Sequence, residues 1–187
     1  MMLALPSLPL RTARLVLRPF RQQDFDAYAA YHGRADVYRF LYSFPPQAEE
    51  LQQQFDRARQ PDLSQDGATM TLAVERSQDG SVLGEVLLKV ASTAALQGEL
   101  GYIFDPAHAG AGYATEAARE MLRAGFEDIG FHRIFARIDT QNHGSVKVAE
   151  RLGLRREAHF RQNDRHDGRW GDEFVYARLA EEWSQRG

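Results

Sequence analysis

The stretch Phe104-Asp105-Pro106-Ala107-His108-Ala109-Gly110-Ala111-Gly112-Tyr113-Ala114-Thr115-Glu116-Ala117 decides how this chain is read, because two closely spaced glycines there join a strand to a long helix. Gly110 and Gly112 let the backbone turn tightly and gather several N–H groups on one side. The first amides of the following helix have no internal partners, and the helix dipole puts partial positive charge at the same end. Together they can make a seat for a phosphate or diphosphate, although two isolated glycines by themselves fit a plain strand-to-helix turn as well. Two other phosphate motifs are excluded by the letters. A dinucleotide fingerprint needs a further glycine where Thr115 stands, and a P-loop needs a Gly-Lys-Ser/Thr ending that is missing.

Working outward, Glu99–Phe104 is a strand stopped by Asp105-Pro106, and the helix after the turn runs from Tyr113 to about Ile129. Met70–Glu75 and Ser81–Val90 flank Asp79-Gly80, a hairpin signal. Leu15 and Leu17 alternate in a half-buried strand, and Asp24 is placed to cap a helix through Tyr31. Pro45-Pro46 opens a second helix through Leu51 and Phe55. Beyond the long helix, His132–Asp139 is a strand and Ser145–Leu152 a helix stopped by Gly153. Strands near Leu154 and at Asp172–Leu179 close the chain. The order β-α-α-β-β-β-α-β-α-β-β, with consecutive strands before the long helix, predicts an α+β fold with a mixed central sheet and helices packed against it.

The length of 187 residues suits one domain, 1–187, and 43% hydrophobic residues supply its core. A formal net charge of −3 gives no global attraction to nucleic acid or anionic lipid, so neither direct nucleic-acid binding nor a membrane is expected. The absence of cysteine rules out disulfides, thiol nucleophiles and thiolate metal sites, and fits a reducing compartment. The apolar opening Met1–Pro9 lacks leading basic residues and is broken by prolines. A cytoplasmic protein is expected. The six histidines show no metal-ligand spacing and read as surface or capping residues. Ser145 lacks the nucleophile elbow of a hydrolase. Arg155, Arg156, Arg161, Arg165 and Arg169 interleave with acidic residues and read as a solvated loop.

The segment Asp139-Thr140-Gln141-Asn142-His143-Gly144-Ser145-Val146-Lys147-Val148-Ala149-Glu150-Arg151-Leu152-Gly153-Leu154 follows a strand, and Asn142 or Ser145 can cap its helix. Taken together, the glycine turn, this Asn-x-x-Ser helix, the opening Thr12-x-Arg14-Leu15-x-Leu17-Arg18-Pro19-Phe20 with Asp24, and the closing Asp172–Leu179 with Glu182-Trp183 resemble the GNAT acetyltransferase superfamily, and within it the RimJ/RimL-like branch. Gly110 and Gly112 match its acetyl-CoA loop; Ala107 stands where that loop carries Gln or Arg, and Ala111 where lysine is common.

The resemblance implies an N-acetyltransferase moving an acetyl group from acetyl-CoA to a primary amine by direct attack. A protein N-terminal amine is the first acceptor class, and a small amine (amino acid, polyamine, aminoglycoside) the alternative. A non-catalytic module that binds coenzyme A is the rival of another kind. Cofactor contacts are implied for Tyr102, Ile103, Phe104, Ala109, Gly110, Ala111, Gly112, Tyr113, Ala114, Thr115, Asn142, Ser145 and Lys147. Asn142 would bond the pantetheine amides or acetyl end, Ser145 would lie near the thioester sulfur, and Lys147 would reach a phosphate or remain solvated. The backbone of Tyr102-Ile103-Phe104 would splay from the next strand and donate to the oxyanion. Many members carry a tyrosine acid where Ala149 stands, so Ser145 is the proton donor expected here.

The chemistry needs a neutral amine, a stabilised oxyanion and a departing thiolate. A thiol ionises near pH ~8.5, so positioning and backbone donors outweigh acid help. Glu99 is the expected base, directly or through water, though it reads equally as an ordinary strand glutamate; Asp172 is the weaker candidate. The oligomeric state, monomer or homodimer, stays open.

Overall fold

In the computed structural model, which describes residues 3–184, a two-residue strand β1 (Leu10–Arg11) turns into β2 (Leu15–Arg18). Met1, Met2 and residues 185–187 lie outside the described residues. All four residues of β2 are buried, including Arg18, which is 4% exposed. Such burial of a guanidinium demands charge partners, and Asp24 and Glu75 supply them at 2.7 and 2.6 Å. This corrects the expected role of Asp24. It does not cap α1 (Phe25–His32) through its side chain; it bonds Arg18 and accepts from the Arg21 N–H at 2.6 Å, closing a single 3₁₀ turn.

A short helix, α2 (Ala35–Tyr38), follows that the sequence did not reveal, and then α3 (Ala48–Ala58). The latter starts three residues later than Pro45, because Gln47 is still extended at its N-cap. Two successive prolines hold the backbone preceding them out of the α region.

β3 (Thr69–Arg76) and β4 (Val82–Ser92) form the expected hairpin, with Gly80 at φ +73 and its N–H donating to the Arg76 carbonyl. β5 (Gln97–Phe104) pairs with β4 along its whole length. The glycine turn then leads to α4 (Tyr113–Arg123), whose last turns, Ala124–Ile129, widen into a π-helix ended by Gly130 at φ +87. β6 (Arg133–Asp139), α5 (His143–Arg151), β7 (Arg155–His166), β8 (Arg169–Leu179) and α6 (Ala180–Ser184) complete the chain.

Two further corrections fall here. The arginines read as a solvated loop lie in strands, Arg169 at the start of β8 and the other four in β7, the edge strand expected near Leu154. Its hairpin turn is Asp167 and Gly168, both at positive φ, and such turns match the twist of paired strands. Glu157 pairs with Arg133 and Arg155, Arg156 and Arg165 lie over the rings of Phe174 and Trp170, and a charged edge resists strand addition. Glu182 and Trp183 belong to α6 rather than to the closing strand: the Glu182 carboxylate accepts from the Leu179 N–H and starts the helix.

The sheet order is β1-β2-β3-β4-β5-β6-β8-β7. All neighbours are antiparallel except β5 and β6. The expected α+β mixed sheet with helices packed against it is therefore present. On one face α4, through Met121, and α5 close over Met70, Leu72, Leu88, Leu100 and Ile134. On the other, α1 and α3 close an aromatic cluster of Phe20, Tyr28, Tyr31 and Phe55. His32 corrects a further expectation: it is fully buried there, bonded to Tyr38 Oη at 2.7 Å and Glu85 Oε2 at 3.2 Å. No helix among the described residues is long and apolar enough to cross a membrane.

Candidate active site

The site begins where pairing stops. β5 bonds β6 only from Gln97 to Glu99 and then leaves it, so Tyr102, Ile103 and Phe104 have a neighbour on the β4 side alone. The V-shaped gap is the splay expected at these residues. A cleft of about 580 Å³ occupies it, within the range of a small-molecule site. Its walls are the Tyr102–Phe104 backbone, the start of α4 and the start of α5.

Gly110 and Gly112 lie at φ +84 and +81, and a Cβ on Gly110 would meet nothing within 4 Å. The loop is thus open on the side where a ligand would approach. Ala109, Gly110, Gly112, Tyr113, Ala114 and Thr115 all line the cleft. Ala111 does not; its carbonyl accepts from Arg14 Nη1 at 3.0 Å. Arg14 also pairs with Glu116, which accepts from Thr12 Oγ1 at 2.6 Å and from the Arg14 N–H at 2.9 Å. Burial would raise the Glu116 carboxyl, but bonds from Thr12 and Arg14 outweigh it and hold the group below the usual carboxylate range. The β1–β2 turn therefore staples the first turn of α4. That contact joins two sequence motifs about a hundred residues apart.

On α5, Asn142 is the cap: its Oδ1 accepts from the Ser145 N–H at 3.1 Å, and the side chain of Ser145 remains available. Lys147 is exposed at the cleft, and Arg151, one turn further on, lines it as well. Arg151 was not anticipated; its spacing from Lys147 on one helix face was the signal that could have found it. Ala149 faces the core at 2% exposure, away from the cleft.

A second cavity of about 280 Å³ adjoins the first. Phe40, Leu41, Tyr102, Ile103, Asn142 and Ser145 line both, so they form the junction. Glu99 lies in this smaller cavity with Ser145, half-buried, opposite Lys89 on β4 and Phe135 on β6. Among the described residues the Glu99 carboxylate accepts no side-chain hydrogen bond, and Arg137, itself paired with Glu173, acts on it electrostatically. Asp172 is not brought to the site: it is held by His159 Nε2 at 3.0 Å and the Gln162 N–H at 2.9 Å, and lines neither cavity. The Tyr102 hydroxyl, overlooked when only its backbone was considered, donates to the Ser145 carbonyl at 3.2 Å. Burial pushes it up to about 12, so it stays neutral.

A positively polarised helix start, an open glycine loop and the cations Lys147 and Arg151 lining a cleft that adjoins a smaller cavity fit the diphosphate and pantetheine arm of acetyl-CoA. The splayed mixed sheet and this cleft define an acyltransferase of the α+β class. The sequence profile of the acetyltransferase (GNAT) domain matches residues 14–155, and the chain belongs to the GNAT family. It is an acetyl-CoA-dependent N-acetyltransferase.

Among relatives, the uncharacterized N-acetyltransferase YnaD of Bacillus subtilis is 29% identical over 92% of this chain and 98% of its own. The crystal structure of a GNAT-family acetyltransferase from Bacillus anthracis superposes with a TM-score of 0.83 at 28% identity, covering 94% of this chain and all of that one. A spermidine N-acetyltransferase from Vibrio cholerae, in complex with CoA and spermine, shares the fold with a TM-score of 0.80 at 21% identity, over 92% of this chain and 99% of that one.

Proposed function

We propose that residues 1–187 form one GNAT domain that acetylates a protein N-terminal amine, in the manner of the RimJ/RimL-like branch. The observation that carries the reading is the junction: Ser145 and Asn142 border both the cleft and the smaller cavity, and Glu99 lies in the latter. A cavity of about 280 Å³ has room for one terminal residue rather than a large body, and the groove is open to the outside.

Acetyl-CoA supplies the activated acyl group. In this reading the amides of Gly110 to Thr115 and the cations of Lys147 and Arg151 hold its phosphates. Asn142 bonds the amide arm. Glu99 takes a proton from the acceptor nitrogen, directly or through one water, leaving the amine lone pair free to attack. A backbone N–H of Tyr102 or Phe104, on the edge left open by the splay, stabilises charge growing on the acyl oxygen. Ser145 Oγ gives its proton to the departing thiolate. Tyr102, held neutral, is the other hydroxyl within reach of that junction.

The test is thiol release from acetyl-CoA against a panel of Ser- and Ala-led peptides, free amino acids, spermidine and an aminoglycoside. Peptide preference supports the reading, whereas preference for spermidine or another small amine moves it to the alternative class. Glu99→Gln is expected to cut turnover by about 10²-fold while acetyl-CoA still raises the melting temperature. Full turnover in that variant removes Glu99 as base.

A further inference from the structure

Residues 36–42 cross the junction of the two cavities: Asp36 and Val37 line the cleft, and Phe40 and Leu41 line both. Polar attachment is scarce just beyond them. Leu41 N–H donates to the Tyr38 carbonyl at 2.9 Å, but among the described residues the N–H groups of Tyr42, Ser43 and Phe44 donate to no other backbone group, and Pro45 and Pro46 have none to give. Two rings meet the sheet here: Phe44 packs on His166 of β7 with centroids 4.4 Å apart, and Tyr42 adds the polar contact. Its hydroxyl donates to Asp139 Oδ2 at 2.6 Å, with the Asp172 carbonyl at 3.2 Å. Its ring lies so close to β8 that a Cβ on Gly171 would come within 2.4 Å of Cε1. Its φ is +52, a conformation that a bulky side chain keeps only where its surroundings hold it.

The acceptor of this bond is not an incidental carboxylate. Asp139 Oδ1 accepts from the Gln141 N–H at 2.7 Å, and the Asp139 carbonyl accepts from the Asn142 N–H at 2.9 Å. Asn142 in turn caps Ser145. One carboxylate thus shapes the turn that presents Asn142 and Ser145, and also anchors the segment crossing above them. Burial, then the bond to Asp139, push the Tyr42 hydroxyl well above the usual phenol range, so it remains a donor.

We propose that Tyr42 is a positioning residue whose bond to Asp139 latches residues 36–42 over the junction between the cleft and the smaller cavity, excluding water while the acyl group is transferred. The proposal rests on reading the smaller cavity as the acceptor chamber. Its chemical consequence is a partition. In transfer, the amine nitrogen bonds the acyl carbon, the C–S bond breaks and the thiol leaves. In the leak, a water oxygen takes the nitrogen's place and acetate forms.

The experiment compares wild type, Tyr42→Phe and Gly171→Ala. Thiol release is measured from acetyl-CoA alone and with a Ser-led tetrapeptide amide or spermidine, whichever the wild type acetylates faster. Tyr42→Phe keeps the ring and loses the bond; Gly171→Ala keeps the hydroxyl and displaces the ring. Both are expected to raise the ratio of hydrolysis to transfer about tenfold, and to speed tryptic cleavage after exposed Arg39. Hydrolysis and transfer changing in equal proportion, with cleavage after Arg39 unaltered, would overturn the latch. Separately, full activity of Glu99→Gln removes Glu99 as base, and a ratio still altered in Tyr42→Phe then sustains the latch without it.

Discussion

Arg18 and Asp24, 4% and 5% exposed, show what single residues contribute away from the cleft. A buried ion pair adds little beyond a well-packed apolar pair, but removing one member strands the other charge at a cost of about 3–5 kcal/mol. Asp24→Ala should therefore lower stability by about 3 kcal/mol in denaturant melts. Loss of a mere helix cap would cost about 1 kcal/mol, so the size of the effect tells the roles apart. The sequence showed Asp24 in a capping position, and a cap and a salt-bridge partner use the same carboxylate. Only burial of β2 distinguishes them. His32 is a parallel case. Its letter gives no hint that Tyr38 and Glu85 are brought to its two nitrogens from different elements.

The hairpin and the glycine loop are the elements that shape the cleft, and each has a weak point. Gly84 on β4 faces Phe104 on β5, where a Cβ would sit 2.3 Å from the Ile103 carbonyl oxygen and 2.7 Å from Phe104 Cα. Backbone cannot yield as a side-chain end can. Gly84→Ala should thus cost about 2–3 kcal/mol and also impair acetyl-CoA binding, because it displaces the residues that line the splay. A calorimetric melt with and without acetyl-CoA reads both. Glu116 tests the other element. Glu116→Gln keeps the shape but weakens the bonds to Thr12 and Arg14, and should lower acetyl-CoA affinity about three- to tenfold in a binding titration. Unchanged affinity would mean that the glycine loop keeps its form without the staple. These strands and helices were legible within a few residues, since hairpin signals, glycine stops and periodicity are local. β7 was expected near Leu154, but its extent to His166 was not legible, because its charged residues suit an exposed edge strand and a solvated loop alike.

For the molecule as a whole, ligand linkage and acid response are the measurable properties. At about 100 times its dissociation constant, acetyl-CoA should stabilise the protein by roughly 2.7 kcal/mol, or about 5–11 °C. The carboxyls of Asp24 and Glu116 are held below their ordinary values: burial opposes ionisation in both, and bonds from Arg18 and Arg21, or from Thr12 and Arg14, prevail. A depressed folded value means that the unfolded chain binds protons first. The stability from these groups is complete above the unfolded value near pH ~4 and is lost as pH falls through the lower folded values. Melting temperature should therefore decline steeply below about pH 4. With Asp24→Asn the decline should be shallower, from a lower starting stability.

The sequence by itself determined the α+β order of elements, the glycine turn before α4 and the Asn142–Ser145 start of α5, because turns, caps and periodicity depend on neighbours along the chain. The tertiary structure alone decided that β5 leaves β6 after Glu99, that Thr12 and Arg14 staple Glu116, and that Tyr42 meets Asp139. The last two contacts join residues 104 and 97 positions apart, the strands of the first are separated by a whole helix, and no local preference encodes them. They form because burying both faces of the sheet brings its far edges and turns to one end of the V, where the cleft lies.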